Sequence, residues 1–372
     1  MKILIMVHSL TGGGAERVAA LWATGFVERG YEVGMVLNCS ENTPITYKVP
    51  DTIKIYRLHS WLANKLHRKL GFDYYYVWHL RRFVKDFQPD VIIGVLQPWA
   101  EWARKAVRGM DIPIVNTEHN SFERPESAPM SKEVSKKKFG WNKNYSHITV
   151  LTQADKECIF EYKEKVTVLP NPLAFQPAEQ MPEKEKVILA AGRMDAWHYK
   201  GFDLLIRAWG KVAKNHPDWK LQIVGNSKGE GREYLQRIAE EEGLGGQLEF
   251  LGYQEDMLPV YQRSSVFVLS SRYEGFGMVL IEAMSQGCAP IACDYKGRQK
   301  DIITSDEEGI ICPVEDIKAL VQAMRKLIED DAYRRHVQQK AIERSEYYSL
   351  EHIMDRWDNI FRQIKMKDYE GA

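Results

Sequence analysis

The sequence predicts an α/β protein built of two doubly wound, parallel-sheet domains in tandem. Three observations point there. At 372 residues the chain is too long for one compact core. Short apolar, β-rich runs alternate with helical patterns, and strands that read as continuous apolar runs between helices belong to parallel sheets covered on both faces. The alternation breaks at the proline-rich "VLPNPLAFQPAEQMPEKEK" (168–186), then restarts.

"KILIMVH" reads as the first buried strand, since the apolar start is too short for a signal peptide. The helix "AERVAALWATGFVERG" and the strand "YEVGMVLN" complete a strand-helix-strand unit with glycines at its first turn. "DVIIGVL", "IPIVNTEH" and "SHITVLT" continue it. After the break come "VILAAGR", "WKLQIVG", "QLEFLGY", "SVFVLSS" and "APIACD", with helices between. The expected boundaries are 1–172 for the first domain, 173–186 for a linker and 187–349 for the second domain. "LEHIMDRWDNIFRQIKMK" has apolar spacing near three and four, so a terminal helix over about 350–367 is expected to pack back on the first domain. Open parallel sheets bind ligands at the carboxyl ends of their strands, so a site is expected in a cleft between the two domains.

Composition narrows the function. Lys plus Arg and Asp plus Glu both number 51, so no global charge argues for nucleic acid. Hydrophobic residues at 44% and charged residues at 27% suit a globular protein. Cys39, Cys158, Cys288, Cys293 and Cys312 form no Cys-x-x-Cys pair, which excludes a zinc knuckle or redox motif of that spacing and suits a reduced, intracellular chain. No segment is long and apolar enough to span a bilayer. The sequence lacks H-E-x-x-H, a Walker loop and an Asp-x-Asp that would hold a metal against a nucleotide diphosphate.

Five constellations could carry chemistry. In "SVFVLSSRYEGFGMVLIEAMSQG", Glu274 ends a strand, Gly275 and Gly277 permit close backbone approach, and the following amides form a helix N-terminus suited to an anion. Glu282 lies about two turns on. Both carboxylates could accept bonds from sugar or ribose hydroxyls; the alternative is a helix-start acid and an ordinary solvated glutamate. In "AAGRMDAWHYKGFDLL", Arg193 and Lys200 flank a strand end and could clamp a diphosphate, or be surface charges. "TGGGAERV" places Gly13 and Gly14 before the first helix, as a phosphate or sugar cradle or as a plain tight turn. "VNTEHNSF" ends a strand with Glu118 and His119; such a histidine is either a site residue or a hydrogen-bonded structural one. Lastly, Lys65, Arg68, Lys69, Arg81, Arg82 and Lys85 interleave with aromatics, and "SKKKFGWNK" (135–143) adds a second basic cluster. Such a mixture suits an anionic membrane surface, or a helix with its charges in solvent.

Together, "GRMDAWHYKGFDLLIRAW", "LQIVGNSKG", "LEFLGYQEDM", "VFVLSSRYEGFGMVLIEAMSQGCAPIACD" and "GIICPVEDIKAL" strongly resemble the second domain of family-4 retaining glycosyltransferases of the GT-B fold. "MVHSLTGGGAERVAALWATGFVERGYEV" and "TEHNSF" carry a looser resemblance in the first domain. The chain departs at "YKGRQKDII" (295–303), where many relatives have a glycine pair and a glutamate and Gly297 and Asp301 stand here.

The resemblance implies a nucleotide-sugar held by the second domain. Glu282 would bind the ribose, and Glu274 the transferred sugar. The amides near Gly275, Phe276 and Gly277 would bind phosphate and sugar, and Arg193 and Lys200 the diphosphate. Asn226 and Tyr253 would lie at the base, Gly13 and Gly14 near the donor, and His119 by the sugar on the acceptor side. No metal or other cofactor is expected. "GGGAER" and "TEHN" look like the subgroup that elongates undecaprenyl-diphosphate-linked oligosaccharides. The resemblance thus implies a UDP-sugar-dependent transferase of surface-glycan synthesis, at the inner face of the cytoplasmic membrane. A same-fold enzyme with a soluble acceptor and an idle sugar-nucleotide-binding protein are the rival readings.

Overall fold

The structure is a computed structural model that describes residues 1–60, 65, 73–96, 99–126 and 129–370. It divides into two compact units: Met1–Pro172 with Leu350–Ala372, and Leu173–Ser349.

The first unit contains strands β1 (Lys2–Val7), β2 (Glu32–Leu37), β3 (Lys54–Arg57), β4 (Val91–Val95), β5 (Ile114–Thr117), β6 (His147–Val150) and β7 (Val166–Val168). They form one parallel sheet in the order β3-β2-β1-β4-β5-β6-β7. Its helices include α1 (Gly14–Glu28), α2 (Tyr74–Phe87), α3 (Trp99–Ala106), α4 (Lys132–Asn142) and α5 (Gln153–Glu157). Helices cover both faces, which is why Ile3–Val7 and Val91–Val95 are buried without alternation.

The second unit contains β8 (Glu185–Ala191), β9 (Lys220–Val224), β10 (Leu248–Gly252), β11 (Ser264–Leu269), β12 (Ala289–Asp294) and β13 (Ile310–Pro313), in the order β10-β9-β8-β11-β12-β13. Between the strands run α6 (Trp197–Lys200), α7 (Phe202–Ala213), α8 (Gly231–Glu241), α9 (Leu258–Arg263), α10 (Met278–Ser285), α11 (Ile317–Glu329) and α12 (Asp331–Ser345). In each sheet the strand order reverses beside the first strand, at β1/β4 and at β8/β11. Such reversal points are where open parallel sheets leave a crevice for ligands.

The terminal helix α13 (Leu350–Glu370) returns to the first unit and packs on α1. Trp22 and Phe26 of α1 meet Trp357 edge-on at 5.1 and 5.6 Å. Gly25 faces Met354, whose Sδ would lie 2.7 Å from an added Cβ, so only glycine permits this approach. Arg29 closes the contact with ion pairs to Asp355 and Asp358.

Residues 173–184, expected as part of a linker, are fastened along the second unit. Leu173 N donates to Tyr348 O at 2.8 Å and Ala178 N to Ser285 O at 2.8 Å. Lys184 Nζ donates to the carbonyls of Tyr261, Gln262 and Gln286 at 3.3, 2.8 and 2.6 Å, and burial pushes its pKa down. Proline-rich composition marked a stretch without helix or strand, but its polar groups find partners on the unit that follows.

Candidate active site

The carboxyl edge of the second sheet is built on glycines. Gly192 N donates to Val224 O at 2.8 Å and Gly225 N to Gly252 O at 2.9 Å. A Cβ on Gly225 would sit 1.8 Å from Gly192 O, so the ends of β8 and β9 approach only without a side chain. Asn226 O accepts from Met194 N at 3.0 Å, and Tyr253, after β10, is exposed. Sequence reasoning missed Asp195. Its carboxylate accepts from Lys228 N, Gly229 N, Gly231 N and Ser227 Oγ at 2.7, 3.1, 3.2 and 3.0 Å. These bonds, that from Lys228 N foremost, hold its pKa below the usual range. The carboxylate thereby fixes the loop that bears Asn226.

Lys200 and Glu274 meet across the β8/β11 reversal. Lys200 Nζ donates to Glu274 Oε2 at 2.7 Å, with Ser271 Oγ 3.4 Å from the same oxygen. Lys200 ends α6, and Gly201 follows with φ +64°, where a Cβ would lie 1.9 Å from Ser270 O. Ser270 Oγ donates to Lys200 O at 2.9 Å, which ties the two loops again. Arg193 follows β8 and is exposed; among the described residues its guanidinium has no hydrogen bond or ion pair.

Gly277, at φ +96°, caps the start of α10. Phe276 is buried 5.8 Å from the Tyr348 ring, which anchors the loop while Gly275 stays partly exposed. Glu282 is only 3% exposed and accepts from Tyr261 Oη at 3.0 Å, so it is not an ordinary solvated glutamate. Arg193, Lys200, Glu274, Gly275, Phe276, Gly277, Asn226 and Tyr253 therefore share one edge of the second unit, and Glu282 lies inside α10.

His119, Gly13 and Gly14 belong to the first unit. His119 Nδ1 lies 3.1 Å from Asn171 Oδ1, Nε2 lies 3.0 Å from Thr117 Oγ1, and the ring is 5.5 Å from that of Trp22. Burial pushes its pKa down to about 4, so the imidazole is neutral at pH 7. The preceding Glu118 is buried and accepts from Asn116 Nδ2 at 3.0 Å, Asn142 Nδ2 at 3.2 Å and, as an ion pair, Lys138 Nζ at 3.4 Å. Lys138 also donates to Asn120 O at 2.6 Å and Ser121 O at 3.0 Å. The loop bearing His119 is thus pinned from beneath. Gly13 precedes α1 in extended conformation with the Glu16 carboxylate folded over it, 1.8 Å from where a Cβ would stand. A carboxylate there makes an anionic phosphate the poorer guest at Gly13 and Gly14.

The basic stretch resolves into different fates. Arg68 and Lys69 lie outside the described residues, and Lys65 is exposed. In α2, Tyr76, Leu80, Val84 and Phe87 face the core, while Tyr74 (81%), Trp78 (60%), Arg82 and Lys85 are exposed. Two expected cations are otherwise engaged. Arg81 Nη1 donates to Ala106 O at 2.6 Å and Arg108 O at 3.0 Å, capping the end of α3. Lys138, from the second cluster, is the buried partner of Glu118. Among the described residues no helix is long and apolar enough to cross a membrane, and no His, Cys, Asp and Glu group has the arrangement of a metal site.

Known proteins match this architecture along the chain. The family model described as Glycosyltransferase Family 4 matches residues 12–174, and that described as Glycosyl transferases group 1 matches residues 174–344. An uncharacterised glycosyltransferase of Haemophilus influenzae is 29% identical over 355 residues, 94% of this chain and 96% of its own. A Campylobacter jejuni alpha-1,4-N-acetyl-D-galactosaminyltransferase, named for its acceptor GalNAc-alpha-(1->4)-GalNAc-alpha-(1->3)-diNAcBac-PP-undecaprenol, is 25% identical over 372 residues, 98% of this chain and 99% of its own. The Anabaena protein HepE, solved in complex with UDP and glucose, superimposes with a TM-score of 0.77 at 18% identity, covering 97% of this chain and 99% of that one. With two parallel-sheet units of this topology and glycosyltransferase models matching from residue 12 to residue 344, the chain is an enzyme of the family-4 glycosyltransferases, of the GT-B fold.

Proposed function

We propose that the enzyme transfers a hexose or N-acetylhexosamine from a UDP-sugar, with retention, to an undecaprenyl-diphosphate-linked saccharide in bacterial surface-glycan synthesis. The observation that carries this reading is the Lys200–Glu274 pair at the strand-order reversal, beside the N-terminus of α10. A cation and a helix N-terminus favour the diphosphate, and a carboxylate beside them favours the hydroxyls of the sugar. The acceptor class is supported by the Campylobacter relative, the uridine donor by the HepE complex.

The bond from the anomeric carbon to the diphosphate oxygen breaks through an oxocarbenium-like transition state. Lys200, Arg193 and the α10 amides neutralise the charge that grows on the diphosphate. The acceptor oxygen attacks from the same face, and its proton passes to the departing phosphate oxygen, so no enzymatic base is required. His119, neutral and with both ring nitrogens engaged by Thr117 and Asn171, serves as an uncharged wall of the acceptor side rather than as a base. Since Lys200 and Arg193 supply the positive charge, turnover is metal-independent.

A donor-hydrolysis screen over UDP- and GDP-sugars tests the reading. Hydrolysis of a UDP-sugar that survives EDTA is expected; complete loss restored by magnesium or manganese would refute the metal-free site. Titration with UDP separates the two glutamates. Glu282→Ala should weaken UDP binding at least tenfold, about 1.4 kcal/mol, whereas Glu274→Ala should spare UDP and damage transfer. Equal losses of UDP affinity would overturn this division.

The exposed face of α2 supports reversible attachment to anionic lipid. Each cation near such a surface contributes ~1 kcal/mol, and the effect fades with salt. Wild-type protein should sediment with phosphatidylglycerol vesicles at low salt. A variant with Trp78→Ala, Arg82→Glu and Lys85→Glu should stay in solution yet hydrolyse donor normally. Arg81 is left in place because it caps α3. If wild-type protein ignores the vesicles, a soluble acceptor becomes the better reading.

A further inference from the structure

We infer that Arg272 is the positioning residue of the Lys200–Glu274 pair, holding the cation and the carboxylate in register by fastening three strand-end loops together. The inference rests on the reading of that pair as donor-binding.

Arg272 stands two residues before Glu274, on the loop after β11, with its side chain 14% exposed. Nη1 and Nη2 form a fork onto the two oxygens of Asp203, at 2.7 and 2.8 Å, in the first turn of α7. Nη1 also donates to His198 O at 2.8 Å, and Nε to Glu315 Oε1 at 2.8 Å, beyond β13. The backbone amide of Arg272 donates to Tyr199 O at 2.9 Å. The carbonyls of His198, Tyr199 and Lys200 thus all accept from the 270–272 segment.

The consequence is geometric. Lys200 reaches Glu274 from a loop 74 residues away in sequence, and α6, which bears it, spans only Trp197–Lys200. So short a helix has little rigidity of its own. Its place is set by the fork to Asp203 on its far side and by the three carbonyl bonds on its near side. Glu315 adds a second sign of constraint: it is a non-glycine residue at φ +64°, a conformation that persists only where its surroundings hold it. A planar guanidinium satisfies Asp203, Glu315 and a carbonyl together; an ammonium cannot.

The test uses the full chain. In Arg272→Met, kcat for donor turnover should fall about tenfold or more, with KM changed less than about twofold, because Lys200 acts on charge that develops in the transition state. In a Lys200→Ala background the same substitution should add less than about twofold. Arg272→Lys should restore only part of the rate. A second readout does not depend on turnover: acetylation of Lys200 by an N-hydroxysuccinimide ester, followed by peptide mass spectrometry. Its rate should rise several-fold in Arg272→Met, as in the Glu274→Gln control, and stay unchanged in Arg325→Met, whose guanidinium donates to Lys211 O elsewhere. Should Arg272→Met fail to fold, Glu315→Gly, which removes the acceptor of Arg272 Nε and suits the φ of +64° at that position, should give a smaller change of the same sign in both readouts. Additive losses in the double variant, or unchanged Lys200 acetylation, would overturn the inference. If the wild-type enzyme turns over no UDP-sugar, the functional reading fails, and acetylation still decides the role of Arg272.

Discussion

Lys200→Ala is expected to lower donor turnover about a hundredfold. Removing a preorganised charge from a departing diphosphate costs ~3 kcal/mol of transition-state stabilisation, and that is two decades in rate. Here the loss has a second part. Lys200 is the 2.7 Å partner of Glu274, so its removal leaves a partly buried carboxylate without its ion-pair partner at the proposed donor site. Lys200→Arg keeps the charge but not the compact head that fits beside Gly192, whose position allows the lysine stem to pass. Arg193→Ala should lose a comparable factor for a simpler reason, since it gives up a guanidinium with no competing partner among the described residues. Initial rates at saturating donor, with thermal unfolding to verify the fold, check both. Near-normal rates in both variants would mean that the diphosphate binds elsewhere.

Lys138→Met is expected to destabilise the first unit by ~3–5 kcal/mol, the usual cost of breaking a buried ion pair from one side. The Lys138 and Glu118 side chains are 8% and 6% exposed. Two loop carbonyls also lose their donor. For a unit of this size the melting temperature should fall by roughly 10 °C. Adding Glu118→Gln should recover part of it, because the stranded carboxylate becomes an amide that Asn116 and Asn142 can still bond. An unchanged melting temperature in Lys138→Met would show that the pair contributes no net stability.

Much of the architecture was legible because it is local. Continuous apolar strands between helices imply parallel sheets, and glycines at strand ends imply close backbone approach, so Arg193, Lys200, Glu274 and Tyr253 could be assigned to strand ends from their neighbours alone. The apolar flanks of Glu282 in "MVLIEAMS" foreshadowed its burial. The cationic residues were less legible. Arg81, Arg82 and Lys85 read alike in sequence, yet one caps α3 and two face outward. Lys138 sits in a run of lysines and is buried against Glu118.

The sequence by itself determined the two α/β units, the strand ends at which the candidate site lies and the family. Periodicity and glycine placement are properties of a few consecutive residues, and they survive without knowledge of the rest. Tertiary structure decided which charges meet. Lys200 pairs with Glu274, Arg272 forks onto Asp203 and Asp195 holds the Asn226 loop because β8 lies between β9 and β11 in the sheet. Strand order brings together loops far apart in the chain, and a long charged side chain takes the nearest carboxylate or carbonyl that order supplies.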